Sequence, residues 1–183
     1  MNKIFTLLLC ISGIFSAFSQ TSDVKNEKIN AYSRIINAYM EVKTALASAE
    51  LESVKSKSTH LHEETLKFRI RGLTLDKMGE VQQLRTAIQK ETAEMKSATD
   101  LSQAQGLFSQ ISDLLWQIIQ ELQMSEKTLY WQQCAEKKQS WISFSSKIEN
   151  PYKNNTPDCG KIAGETNAAY YQKEAAACCS AKK

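Results

Sequence analysis

The stretch TDLSQAQGLFSQISDLLWQIIQEL, Thr99 to Leu122, spaces Phe108, Ile111, Leu115, Ile118, Ile119 and Leu122 at threes and fours. That spacing lines one face of a helix, and Thr99-Asp100 supplies an N-cap candidate ahead of it. The same rhythm recurs upstream. Ile29, Tyr32, Ile36, Tyr39, Met40, Lys43 and Leu46 form one run, and Leu51, Val54, Leu61 and Phe68 a second. Val81, Leu84, Ile88 and Met95 form a third, with Gly72 and Asp76 marking the break before it. Both prolines, Pro151 and Pro157, lie late, and strand-like alternation is absent from residues 24–138. The expectation is an all-α fold, an antiparallel bundle of about four helices spanning residues 24–165 with short connections.

Downstream of the fourth run the pattern weakens. A short helix is expected to carry Leu129, Tyr130, Trp131 and Cys134, followed by a long loop to about residue 160, rich in Ser, Lys and Asn. Loops of that length in compact domains are functional or tied down. Residues 166–183 form a last unit, a short helix over Thr166 to Ala177 and a tail closing on Cys178-Cys179-Ser-Ala-Lys-Lys.

The N-terminus has the layout of a secretory signal peptide over residues 1–19. Lys3 charges its start, Ile4 to Phe15 are mostly apolar, and Ala17 and Ser19 are the small residues before a cut at Gln20. Cys10 makes a poor lipidation site, because Leu9 stands where a small residue is needed. With no second long apolar run, the expected product is soluble, periplasmic or secreted, in a compartment where disulfides persist. It would keep about 160 residues, enough for one domain with a core. Of 23 basic residues, Lys3 leaves with the leader, so 22 face 20 acidic ones and the net charge falls from +3 to +2. The charges are interspersed, with no basic block for nucleic acid or an acidic membrane.

Several short motifs resemble a family of bacterial periplasmic helical proteins, the domain of unknown function 3347, found mostly in Bacteroidota. They are Cys134, Trp141-Ile142-Ser143, Ile148-Glu149-Asn150-Pro151-Tyr152 and Cys159-Gly160. Upstream, Tyr39 to Leu46 is similar to that family's first helix, and Asp100 with Phe108 and Ser112 to a later one. The resemblance spans about residues 29–165. It implies a helical protein found alone or associated with heavy-metal efflux components of the membrane-fusion type, one of which would be its partner. The chain departs from the family pattern at Ala135-Glu136 (Pro-Met), at Thr156-Pro157-Asp158 (Met-Leu-Thr) and at Ala104-Gln105 (Gln-Arg). Losing both thioethers removes ligands that soft Cu(I) favours, and marks a divergent member.

Candidate sites follow from residue chemistry. Cys134 and Cys159 enclose 24 residues and either bridge to each other or offer two thiolates to a soft metal. Cys178 and Cys179 bridge to each other only through a strained ring. As neighbouring thiolates beside Lys182 and Lys183 they are candidate ligands for copper or another thiophilic ion. With four mature cysteines, three complete pairings exist. His60 and His62, the only histidines, project about 200° apart on a helix and cannot share an ion; His60 with Glu64 is the pair one turn apart. Trp131, Trp141 and Tyr152 are either buried under the late loop or a surface for a ligand or partner. Phosphate loops, nucleophile elbows and acid–base sets are not found. Joined to these thiols, the resemblance implies the expected function, that of an exported, non-enzymatic helical protein that binds or buffers a soft metal, copper above all, in connection with heavy-metal efflux. The alternative is a structural or protein-interaction module with a disulfide-stapled aromatic loop and no metal.

Overall fold

Four apolar rhythms become four helices. The computed structural model describes residues 20–70, 73–122, 127–152 and 159–166. In it α1 runs Gln20–Ala47, α2 Leu51–Lys67, α3 Leu75–Lys96 and α4 Leu101–Leu122. The buried faces are those the spacing marks. Tyr32, Ile36, Tyr39 and Leu46 of α1 meet Val54 and Leu61 of α2, Val81, Ile88 and Met95 of α3, and Phe108, Ile111, Leu115 and Ile119 of α4 in one core. Each helix packs chiefly on the next in sequence, and α1 touches α4 only slightly. No helix among the described residues is long and apolar enough to cross a membrane.

Capping chemistry sets the helix ends. The Gln103 backbone N–H donates to Asp100 Oδ1 at 2.8 Å, and the Thr99 N–H donates to Gln103 Oε1 at 2.9 Å. Two donors at the start of α4 are thereby satisfied, as in a capping box. α1 stops differently. Ala49 takes a left-handed φ of 58° and its N–H donates to the Leu46 carbonyl at 3.1 Å, a position that glycine usually fills. Ala49→Gly is expected to stabilise the fold by about 0.5–1 kcal/mol, after allowing for the extra freedom glycine gives the unfolded chain. A denaturant midpoint that stays put or falls contradicts this.

The all-α expectation is corrected after α4. Tyr130–Cys134, expected as a helix, is strand β1; β2 (Gln139–Ser143) lies inside the expected loop, and β3 is Lys161–Glu165. The sheet order is β2-β1-β3, antiparallel throughout. Trp131 pairs with Ile142 on one side and Gly164 on the other, and a bulge follows between Trp131 and Gln132. The reason is pairing: five residues with two aromatics gain more from two flanking strands than from one helical turn and a half. Buried Gln132 and Cys134 alternate with more exposed Trp131 and Gln133, the period of a strand. The hairpin closes through Lys138 N–H to the Ala135 carbonyl at 3.3 Å, with Lys138 at a left-handed φ of 52°. No glycine or asparagine marks that turn, so nothing in its residues announces a hairpin.

The sheet is a middle layer. One face, with Ser140 and Ile142, lies on α4 and α1. The other, with Gln132 and Trp141, is covered by the chain that follows β2. The terminal helix expected over Thr166 to Ala177 falls almost wholly outside the described residues. Thr166 itself donates its N–H to the Leu129 carbonyl at 2.9 Å, extending the sheet by one rung.

Candidate functional site

The motif residues converge where the helices meet the sheet. Tyr39 stacks on Phe108 with centroids 4.8 Å apart, and its hydroxyl lies 2.7 Å from Ser112 Oγ. The same phenol oxygen accepts the Ile142 N–H at 2.9 Å, so α1, α4 and β2 are pinned at one atom. Burial pushes the Tyr39 phenol well above its ordinary range, and the bonds from Ser112 and Ile142 pull the other way. Beside it, Tyr152 donates its O–H to the Ser140 carbonyl at 2.9 Å, and the Ser140 N–H donates to Ser109 Oγ at 3.0 Å. Ser140 Oγ makes a short hydrogen bond to Asp113 Oδ1. At the edge of this region Lys43 Nζ donates to Ser143 Oγ at 3.0 Å and to Glu149 Oε2 at 3.3 Å. Burial lowers the Lys43 ammonium's pKa, opposed by Glu149.

Sequence reasoning missed the hub of the far face. Gln132 is fully buried; its Oε1 accepts Trp141 Nε1–H at 2.6 Å and Glu149 N–H at 3.3 Å. Its Nε2 donates to the Ser145 and Lys147 carbonyls at 2.9 and 3.0 Å. All four bonds of one amide are thereby made. A glutamine beside a second glutamine reads as surface, and nothing local flags its burial. Asn150, quoted above only as part of a motif, starts a turn before proline: its Oδ1 accepts the Tyr152 N–H at 2.8 Å and its Nδ2 donates to the Cys159 carbonyl at 3.0 Å.

Cys134 and Cys159 are bonded to each other, with Cα atoms 5.2 Å apart. The bridge joins the end of β1 to the residue two before β3. Sulfurs so joined offer no thiolate, so this pair does not fit a copper site. Next to the bridge, a side chain at Gly160 would come within 2.5 Å of Ile148 and 3.1 Å of Trp141, which makes glycine obligatory for the close approach. Cys178 and Cys179, the candidate metal ligands, lie outside the described residues, as do residues 1–19. Among the described residues no group of three or more His, Cys, Asp or Glu is placed to hold a metal ion.

Trp141 and Tyr152, candidates for a ligand surface, are fully buried and face each other edge-on at 5.9 Å. Trp131 is half-buried and stacks on Trp116 at 5.8 Å. His60 and Glu64 are not brought together. His60 Nδ1 lies 3.3 Å from Glu41 Oε2, while His62 Nδ1 lies 2.9 Å from Thr92 Oγ1. Glu64, nearly buried, accepts from Lys67 Nζ and Arg34 Nε, each at 2.9 Å. The Lys67 bond first, then that from Arg34, outweighs burial and holds the carboxyl below its ordinary 4.5. A depressed carboxyl stabilises fully above its unfolded value and loses that contribution as pH falls through the folded one. Glu64→Gln is therefore expected to cost about 1 kcal/mol at pH 7, discounted for half-exposed partners, with the gap to wild type closing below about pH 4. Denaturation at pH 7 and pH 3 checks it, and a gap independent of pH contradicts it.

These features define a mostly helical domain carrying a small, disulfide-closed antiparallel sheet on its last helix. The chain belongs to the family described as a protein of unknown function (DUF3347), whose model matches residues 35–127. The match takes in the C-terminal part of α1 and all of α2 to α4 and ends ahead of β1. The motifs from Cys134 to Gly160 thus lie beyond it. No curated protein and no solved structure matches the chain.

Proposed function

We propose that this chain is an exported, non-enzymatic helical protein, its helices arranged as an antiparallel bundle, that binds or buffers a soft metal ion at sulfur. Copper is the leading ion, and a heavy-metal efflux component the partner. One observation carries the choice of site: the Cys134–Cys159 bond takes two of the four cysteines that follow residue 19. Cys178 and Cys179 are the sulfurs left over, and adjacent cysteines pair with each other poorly. Two thiolates on neighbouring residues, with Lys182 and Lys183 favouring their ionised form, suit a soft monovalent cation. The disulfide also supports an oxidising compartment, periplasmic or secreted, as the place of action.

A second reading, a structural or protein-interaction module without metal, is favoured by the burial of Trp141 and Tyr152 beneath the stapled chain. One titration separates the two. Protein lacking residues 1–19, its core disulfide intact and its remaining thiols counted as reduced, is titrated with Cu(I) against a chromogenic chelator. One ion per chain, lost in Cys178→Ser/Cys179→Ser, is the expected result. Competition no better than that of the double variant sinks the metal reading and leaves the interaction module.

A further inference from the structure

Where the sheet parts from α4 a cleft of about 410 Å³ opens, lined by Asp113, Trp116, Gln117 and Gln120 of α4, Trp131 and Gln133 of β1, and Ala163 and Gly164 of β3. That volume is within the range of small-molecule sites. We infer that this cleft binds a neutral sugar ring, and that the chain has a glycan-binding site independent of its cysteines.

The lining chemistry points to hydroxyl groups. Side-chain amides donate and accept, and so do sugar hydroxyls; a carboxylate accepts from two adjacent hydroxyls. Gln120 and Gln133 spend no side-chain hydrogen bond on the described protein, and Gln117 spends one weak bond, 3.3 Å to the Asp113 carbonyl. Asp113 uses Oδ1 on Ser140 and leaves Oδ2 to accept. Among the described residues no Lys, Arg or His lines the cleft, so an anionic ligand such as a phosphate finds no counter-charge among them.

The apolar side of the site is aromatic. Trp116, itself buried, stacks beneath half-buried Trp131 at 14° between planes, and the Trp131 indole is the flat partner that the C–H face of a sugar ring packs against. Gly164 makes room: a Cβ there would sit 3.0 Å from Trp116 Cζ2, a tight contact that glycine avoids where β3 meets the indole edge. The bulge beside Trp131 gives β3 its extra residue, Ala163, at the wall of the cleft. Bulges of this kind re-aim side chains next to binding sites. The Trp131 indole N–H is buried without an acceptor, an unmet bond within the same wall.

The test uses the protein without residues 1–19, disulfide intact. It is titrated with the N-acetylglucosamine tetramer, maltotetraose and a neutral tetrapeptide, and followed by NMR of the tryptophan indole and glutamine side-chain signals. Saturable shifts of the Trp116 and Trp131 indoles with one of the sugars are expected. Gln117→Ala/Gln120→Ala, at two exposed positions, is expected to keep the fold and weaken binding about tenfold, the worth of one or two hydrogen bonds. Gln110→Ala, exposed on α4 outside the cleft, is expected to leave it unchanged. No saturable shift with either sugar, shifts with the peptide alone, or equal binding by the cleft double variant would overturn the inference.

Discussion

Replacing Cys134 and Cys159 by serine together is expected to cost about 3 kcal/mol of stability while leaving the four helices intact. The bridge closes a span of 25 residues, and the chain-entropy cost of leaving such a loop open is of that size. Its enthalpic setting points the same way, because Cys134 is buried and a serine hydroxyl there would need a partner. The loss falls on the sheet. β3 and the covering chain are held to β1 at one end by the Thr166–Leu129 rung and at the other by this bond. Far-ultraviolet circular dichroism should retain the helical signal, with faster amide exchange confined to residues 130–165. Unchanged stability, or helices lost along with the sheet, would show that the bridge is not what closes this end. Mild reduction of the wild type should reproduce the double variant, which separates the bond itself from the serine substitutions.

The helical part of the fold was legible because each helix is amphipathic with its own punctuation. Asp100 before Leu101 and the break around Gly72 fall where the elements begin and end. The sheet was not legible, for reasons particular to it. β1 has five residues, too few for periodicity to separate a strand from a helical turn. Its turn is built on Ala135 to Lys138, without a residue that prefers positive φ. β3 is exposed along most of its length and carries Gly164, so no alternation shows. The candidate site divides the same way. The pairing of Cys134 with Cys159 stood among the readings, since the residue types allowed it. The use of Gln132 as a hub, and the meeting of Trp116 with Trp131 across fourteen residues of intervening chain, depend on how the sheet lies against α4. Contacts of that kind are decided by packing and leave no local mark.

Trp141→Ala is expected to be the most damaging single change, costing about 3–5 kcal/mol, the usual range for emptying a buried tryptophan site. Trp141 has no exposed surface; it meets Tyr152 edge-on, lies where a side chain at Gly160 would go, and donates its indole N–H to Gln132 of β1. Two effects contribute, and a second variant separates them. Trp141→Phe retains most of the packing but leaves Gln132 Oε1 with only the longer Glu149 N–H bond, at a cost of about 1–3 kcal/mol. If packing dominates, the phenylalanine variant recovers more than half of the loss. If the amide hub dominates, it recovers little, and Gln132→Leu becomes nearly as harmful as Trp141→Ala. Equilibrium denaturation of the three variants with the disulfide intact decides between these outcomes. A Trp141→Ala protein within 1 kcal/mol of wild type, by the scale of ordinary surface substitutions, would mean that the residue does not anchor the layer at all.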